Sequence, residues 1–370
     1  MNVLLVNPWG DECLPPPSIG YLQAAIKCSQ ADVRAYNLQQ ALATDEQFDI
    51  VAVSFHSFSV KYARQLRDKF KGRMICGGHH PSAMPEQMLS IGYDQVVIGE
   101  GENAMLSILQ GNSEKVINGR DCKFFSGIDD IPFPDYTGIN FDGCLGISII
   151  TSRGCPFACN FCASSDFWGR KYKMRSADNV LAEIEKRKSE GYNTWIFEDD
   201  NFTANKDRAY EICRGLDGKY LWKFQGRAES LDKELCAELY RAGCRKVWIG
   251  VESLSQESLD RCNKNTTVEK MLTGITNAYM AGITTMSLLL VGLPGDTERD
   301  IDITRERIAG SNITEMGVNI AWILPNTEIY NKAKARGFDD NVYLESGAPF
   351  YTYEQSIETL QRWEHKLMTR

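Results

Sequence analysis

TSRGCPFACNFC, residues 151–162, sets Cys155, Cys159 and Cys162 on one short segment, with three residues in the first gap and two in the second. Gly154, Pro156 and Asn160 lie among them. These are turn formers, so the segment reads as a loop. Three readings of the trio compete. A structural zinc site wants four ligands, usually in paired Cys-x2-Cys spacing, and no His stands within a dozen residues to complete one. Free thiols also pack as small hydrophobes, which suits a loop poorly. A four-iron cluster is complete with four thiolates, and with three it keeps one iron for an outside ligand.

Outward from this loop the chain alternates strands and helices. Strands are expected at 146–151, 194–198, 221–225, 246–251, 285–291 and 317–321, with helices at 177–191, 205–216, 232–242, 268–281 and 297–309. Six such units are too few to close an eight-stranded barrel, and functional groups belong at the carboxyl ends of the strands. The cysteine loop follows the first of them. The other ends carry Glu198 to Phe202, Gly226 to Glu229, Gly250 to Ser253, the run LVGLPGDT at 290–297, and Ile323-Leu324-Pro325. Trp168 to Arg175 is a basic, aromatic stretch that either holds an anion or is a solvated loop face, and Ser176 is placed to cap the next helix.

The first 110 residues also alternate. Strands are expected at 3–6, 32–36, 50–54, 74–76 and 95–98, and helices at 18–28, 60–70, 81–89 and 102–109. The apolar strands imply a parallel sheet covered on both faces. Ligands of such sheets bind beyond the carboxyl ends, here Asn7, Ser54 to Ser57, Gly77 to His80 and Gly99 to Glu102. Residues 111–143 show no sustained period and read as a proline-stiffened linker. Residues 331–370 read as a short helical extension.

Cys-x3-Cys-x2-Cys, followed in order by GVES at 250–253 and GLPG at 292–295, resembles the radical S-adenosylmethionine (SAM) superfamily. PPPSIGYLQAAI, GGHHPSAMPEQML and VVIGEGE resemble the cobalamin-binding domain that precedes many such cores. The resemblance implies an α/β chain with four parts. These are a Rossmann-like, doubly wound domain (1–110), the linker (111–143), a partial (β/α)6 TIM-like barrel (144–330) and the extension (331–370). It makes Cys155, Cys159 and Cys162 ligands of a [4Fe–4S] cluster whose open iron is chelated by the amino and carboxylate groups of SAM. Phe161, Leu290 and Ile323 would stand by the adenine, Asp199 and Asp200 by the SAM amino group, Arg227 by its carboxylate, and Glu252 with Ser253 by the ribose. A salt bridge of Arg227 with Glu229 or Glu252 is the rival reading. Cobalamin would lie against Ser54, His56, Gly77, Gly78 and Glu100. The lower-ligand motif Asp-x-His-x-x-Gly is absent, so no histidine is expected below cobalt, and His79 and His80 read first as loop residues that hydrogen-bond backbone. The trio Cys13, Cys28 and Cys76 is too scattered for the second cluster of a methylthiotransferase. The implied reaction is methyl transfer to an unactivated carbon; the alternative is cyclisation, oxidation or rearrangement with the first domain binding substrate, and an iron–sulfur sensor is a third.

Bulk properties agree. The chain has 370 residues, 43% hydrophobic and 24% charged, enough for more than one core. A net charge of −8 argues against broad binding to nucleic acid or an anionic membrane. No apolar run approaches a membrane span, and the N-terminus lacks the basic region of a signal peptide. Twelve cysteines without an export signal suggest a reducing, cytoplasmic setting. The expected partners are a small-molecule or peptide substrate and an external electron donor of flavodoxin or ferredoxin type.

Overall fold

A computed structural model describes residues 1–8, 16–139 and 146–369. The chain divides into two compact units. The first joins Met1–Ser148 with Asp166–Gly169 and Asp339–Pro349; the second holds Ile149–Ser165, Arg170–Phe338 and Phe350–Arg370. Cys13 lies outside the described residues.

The first unit is built on six parallel strands: β1 (Asn2–Asn7), β2 (Asp32–Asn37), β3 (Ile50–Ser54), β4 (Arg73–Gly77), β5 (Gln95–Ile98) and β6 (Val116–Asn118). Their order is β2-β1-β3-β4-β5-β6. Val3 and Leu5 of β1, Ala52 of β3, Ile75 of β4 and Val97 of β5 form one core with Ile19 and Ile26 of helix Pro17–Lys27 and Met105 of helix Gly101–Leu109. The strand order turns back on itself between β1 and β3. In sheets of this kind that switch point opens a crevice at the carboxyl ends.

Two local departures from the sequence reading have clear causes. Val116–Asn118 falls in the stretch read as linker, yet pairs with β5 as the sheet's edge. Three residues are too few to show a period. The helix read over 81–89 is two helices, His79–Ala83 and Pro85–Ser90, parted at Met84 with φ −132° and ψ 54°. Proline disfavours α geometry in the residue before it, so Pro85 breaks the run. Further on, Tyr136 packs where Gly20 has no side chain, and Gln23 donates to Thr137 O at 2.8 Å, which lays this part of the stretch on the first helix.

The second unit carries six more parallel strands: β7 (Ile147–Ile149), β8 (Thr194–Phe197), β9 (Leu221–Gly226), β10 (Cys244–Glu252), β11 (Thr284–Val291) and β12 (Glu315–Ile320). They run in simple order from β7 at one edge to β12 at the other. This is the open, partial barrel expected, with β7 and β12 as its edges. Alternation along β11 buries Thr285, Ser287, Leu289 and Val291 and leaves Met286, Leu288 and Leu290 half-buried on the opposite face. Register sets Trp248 beside Met286, Gly250 beside Leu288 and Asn319 beside Leu290, so these residues share that face. Ser176, Asn205, Asp232, Thr267 and Thr297 each accept from a backbone N–H in the first turn of the following helix. Helix Ile357–Met368 packs on helix Glu298–Ala309 and on β12, with Trp363 and Lys366 both bonded to Glu298.

Candidate functional site

The cysteine loop leaves the carboxyl end of β7. A two-stranded ribbon, Ser152–Arg153 against Lys173–Met174, forms its base. Gly154, at φ +87°, turns the chain into the loop, in a region that glycine enters freely. The three thiols are partly exposed. Burial pushes the Cys155 thiol up, and Cys162 up to about 12, with Asp200 and the other thiols adding in the same sense.

The next strand end supplies two carboxylates with different employment. Asp199 is buried and accepts from Thr151 N–H at 2.6 Å, the Thr151 hydroxyl and Ser152 Oγ at 2.7 Å, with Arg208 at 3.5 Å. These partners fix the ribbon, so the geometry gives Asp199 a holding role in place of the SAM contact read from the sequence. Asp200 is exposed; it accepts from Gly154 N–H at 3.0 Å and from Ser164 Oγ.

Arg227 follows β9 and is buried. Its Nε donates to Glu229, its Nη2 donates to Lys264 O, and its Nη1 stands 3.6 Å from Cys159 Sγ. The guanidinium lies 3.9 Å from the centroid of the Phe157 ring. The salt bridge held as the rival reading is therefore present, but it faces the cysteine loop. Glu229 Oε2 is buried with no hydrogen-bond partner among the described residues.

Glu252 closes β10 with φ +63°, beyond a register shift between Gly250 and Glu252. A non-glycine residue held there stores strain, and such residues collect at functional sites. Its Oε1 takes Lys264 Nζ at 2.8 Å and would lie 2.6 Å from a Cβ on Gly250, so a side chain there would push the carboxylate aside. Glu252 thus pairs with Lys264 and not with Arg227. Lys264 was missed by sequence reading; nothing in the run RCNKN announces a buried cation. Burial acts to lower the Lys264 ammonium, but Glu252 and Cys159 together outweigh it and the net shift is upward. Ser253 turns away from the strand end, with its Oγ 3.1 Å from Thr304 Oγ1 and accepting from Ser255 N–H at 3.0 Å. Phe161 is half-buried and Ile323 is buried. Arg175 of the basic stretch is buried against Glu183, which makes it structural.

In the first unit the carboxyl ends of β3 and β4 meet. Phe55 N–H donates to Gly77 O at 2.8 Å and His80 N–H to Phe55 O at 3.2 Å. Gly78 sits at φ +95°, where a Cβ would stand 2.7 Å from Phe55 O and 3.0 Å from Ser54 Oγ. The imidazoles of His56 and His79 stack at 5.2 Å, and His79 stacks on Phe167 at 4.0 Å. Crowding around the ring, helped by His56, pushes His79 down to about 3. His80 is fully buried between Ser57 Oγ at 3.2 Å and Gln87 Oε1 at 2.8 Å, and burial takes it down to about 4. It holds the loop, as the plainer reading had it. Glu100 stands just before helix Gly101–Leu109 at the end of β5, and its side chain makes no capping bond to the helix.

The model of the radical SAM superfamily matches residues 149–308, and that of the B12 binding domain matches residues 11–109, about seven-tenths of the chain together. The chain belongs to the radical SAM superfamily. It is similar to an uncharacterized methyltransferase of Pyrococcus horikoshii, 26% identical across 99% of this chain and 88% of the relative. It is also similar to the anaerobic magnesium-protoporphyrin IX monomethyl ester cyclase of Cereibacter sphaeroides, 27% identical across 78% of this chain and 55% of that protein. Among solved structures, the radical SAM methyltransferase TsrM from Kitasatospora setae, with cobalamin and a [4Fe–4S] cluster bound, superposes with a TM-score of 0.73. The match covers 90% of this chain and 75% of TsrM at 19% identity, a likeness of fold.

The residues of this radical SAM enzyme fit the groups its two domains imply. Among the described residues no three His, Cys, Asp or Glu side chains converge as ligands of one metal ion. Cluster ligation asks something else of the loop, since there each thiolate holds its own iron. The Arg227 guanidinium beside Cys159 offsets thiolate charge. Glu229 Oε2, an acceptor without a donor, suits the ammonium of SAM. In the first unit, the side-chain-free Gly77-Gly78 turn and the neutral His56–His79 pair suit a flat, uncharged macrocycle.

Proposed function

We propose that this chain is a cobalamin-dependent radical SAM C-methyltransferase acting on an unactivated carbon of a small molecule or peptide, with an external flavodoxin- or ferredoxin-type reductant. Cys155, Cys159 and Cys162 would hold the cluster. Asp200 and Glu229 would take the SAM amino group, and Glu252, braced by Lys264, the ribose. Leu290 and Phe161 would flank the adenine. Ser54, His56, Gly77, Gly78 and Glu100 would line cobalamin. When bound, the cluster supplies one electron for cleavage of SAM to a 5′-deoxyadenosyl radical, and cobalamin carries the methyl group. The protein's part is orientation and charge. Arg227 keeps a positive charge against Cys159, and Lys264 sets its ammonium against the Glu252 carboxylate beside the strand end.

The observation that carries the reading is the three-thiol loop with Arg227 on Cys159, in a chain that also has a B12 binding domain. The experiment is an anaerobic incubation with SAM, a low-potential reductant and cobalamin. Methylation predicts that S-adenosylhomocysteine and 5′-deoxyadenosine both form. Formation of 5′-deoxyadenosine with no S-adenosylhomocysteine would favour the second reading, cyclisation or oxidation, which the cyclase relative supports.

A further inference from the structure

Asn160, between the second and third cysteines, has more partners than a loop asparagine needs. Its backbone N–H donates to Cys262 O at 3.2 Å, and its backbone O accepts from Glu328 N–H at 2.9 Å. Its side-chain Nδ2 donates to Arg261 O at 2.9 Å and to Glu328 Oε2 at 2.7 Å. A second asparagine reinforces the contact from the other side, with Asn263 Nδ2 donating to Ala158 O at 2.7 Å. Asn263 and Asn265 both have positive φ, 52° and 55°, so the run from Arg261 to Asn265 is a shaped loop.

The placement of these partners gives the bonds their meaning. Asn160 follows β7, one edge of the open sheet, and Glu328 follows β12, the other. The run 261–265 follows β10, which lies inside the sheet. The strands do not close a barrel, but the loops that follow both edges and β10 meet at Asn160. Backbone hydrogen bonds alone fix only the path of the chain at Asn160. The side chain adds two donors aimed at two different loops, which an alanine lacks.

We propose that Asn160 is a positioning residue that clasps the rim of the open barrel and holds the cysteine loop in its ligating shape. The Arg261–Asn265 loop and Glu328 are its two anchors. The inference rests on the reading of Cys155, Cys159 and Cys162 as cluster ligands, and it adds what shapes them. The clasp acts by preorganisation: a loop already in the bound shape loses less freedom when the cluster is taken up.

The test uses the anaerobically reconstituted full chain and reads the half-life of cluster absorbance in excess iron chelator. Asn160→Ala, which removes two side-chain bonds, should shorten that half-life at least about fivefold, the factor that one ordinary hydrogen bond gives. Glu328→Ala should shorten it too, while Glu328→Gln, which keeps an acceptor, should restore most of it. The Asn160→Ala/Glu328→Ala double variant should lose less than the product of the two, since both remove one bond. The electron paramagnetic resonance spectrum of the reduced cluster with SAM should broaden in Asn160→Ala. An unchanged half-life and spectrum in Asn160→Ala overturn the proposal, as do independent effects of the two single changes. If Asn160→Ala does not fold, the contrast between Glu328→Ala and Glu328→Gln decides. A wild-type chain that takes up no iron removes the ligand reading, and this inference with it.

Discussion

The two sheets place very different chemistry at their carboxyl ends. The partial barrel surrounds its cysteine loop with buried charge: Arg227 on Glu229 and Cys159, Lys264 on Glu252, and Asp199 on Arg208. The doubly wound sheet offers glycine, hydroxyl and stacked imidazole, and both His79 and His80 are pressed well below the usual histidine range. Buried charges persist only where partners repay their desolvation. The barrel therefore invests in a polar network, as a site for thiolates and a zwitterionic ligand requires. The first unit keeps the ends of β3 and β4 free of charge, as a site for a large flat ligand requires, and has its carboxylates, Glu100 and Glu102, at the end of β5. Similar βα architecture thus serves opposite electrostatics, because the strand-end loops and not the strands carry the difference.

The strongest break in that contrast is removal of the charge the barrel is built around. Replacing Cys155, Cys159 and Cys162 together with Ala should abolish iron uptake and 5′-deoxyadenosine formation. Far-ultraviolet circular dichroism should stay near wild type, because the loop lies outside both sheets. Retained iron in that variant, measured by chelator assay, would place the metal elsewhere.

Next in size is the buried pair. Lys264→Met leaves Glu252 buried without its cation, which should lower stability by about 3–5 kcal/mol, read as a shift of the urea midpoint. A shift under about 1 kcal/mol would mean that the pair behaves as a solvated one.

The neutral side of the contrast has a pH signature. His80 titrates at about 4 in the folded chain and near 6.5 unfolded. Below pH 6.5 the unfolded state binds the proton first, so stability falls with pH and the loss is complete below pH 4. The first unit should lose about 3 kcal/mol across this window through His80. His80→Gln should flatten the slope in urea titrations between pH 7 and 4; an unchanged slope would assign the acid sensitivity to other groups.

The finest probe is Glu252→Gln, which keeps the shape and removes the charge. SAM affinity should fall by about 1–3 kcal/mol, the worth of a hydrogen bond to a charged group, measured by calorimetry under anaerobic conditions. Loss of thermal stability with an unchanged SAM dissociation constant would confine Glu252 to bracing Lys264.

The two sheets were legible for a simple reason. Apolar strands buried between helices leave continuous hydrophobic runs, and these show in β1 and β3. Short pieces did not show. Val116–Asn118 is an edge strand, and helix Leu38–Ala43 has only six residues, although Asn37 and Gln40 form a capping box that a search for such pairs would find. At the site, spacing sufficed to mark the cysteines, but side-chain direction is not written in spacing. Asp199 and Asp200 are neighbours, yet one turns into the ribbon while the other is exposed. Lys264 and Asn160 act through partners far away in sequence, so no local pattern points to them.

Cluster ligation with an open iron is the central claim, and electron paramagnetic resonance of the reduced, anaerobically prepared chain tests it most directly. With about four irons per chain, as a [4Fe–4S] cluster requires, the account predicts a spectrum that shifts when SAM is added. It also predicts that the signal vanishes when the three cysteines are replaced. A chain that binds a single zinc or iron, or a four-iron spectrum indifferent to SAM, would contradict it.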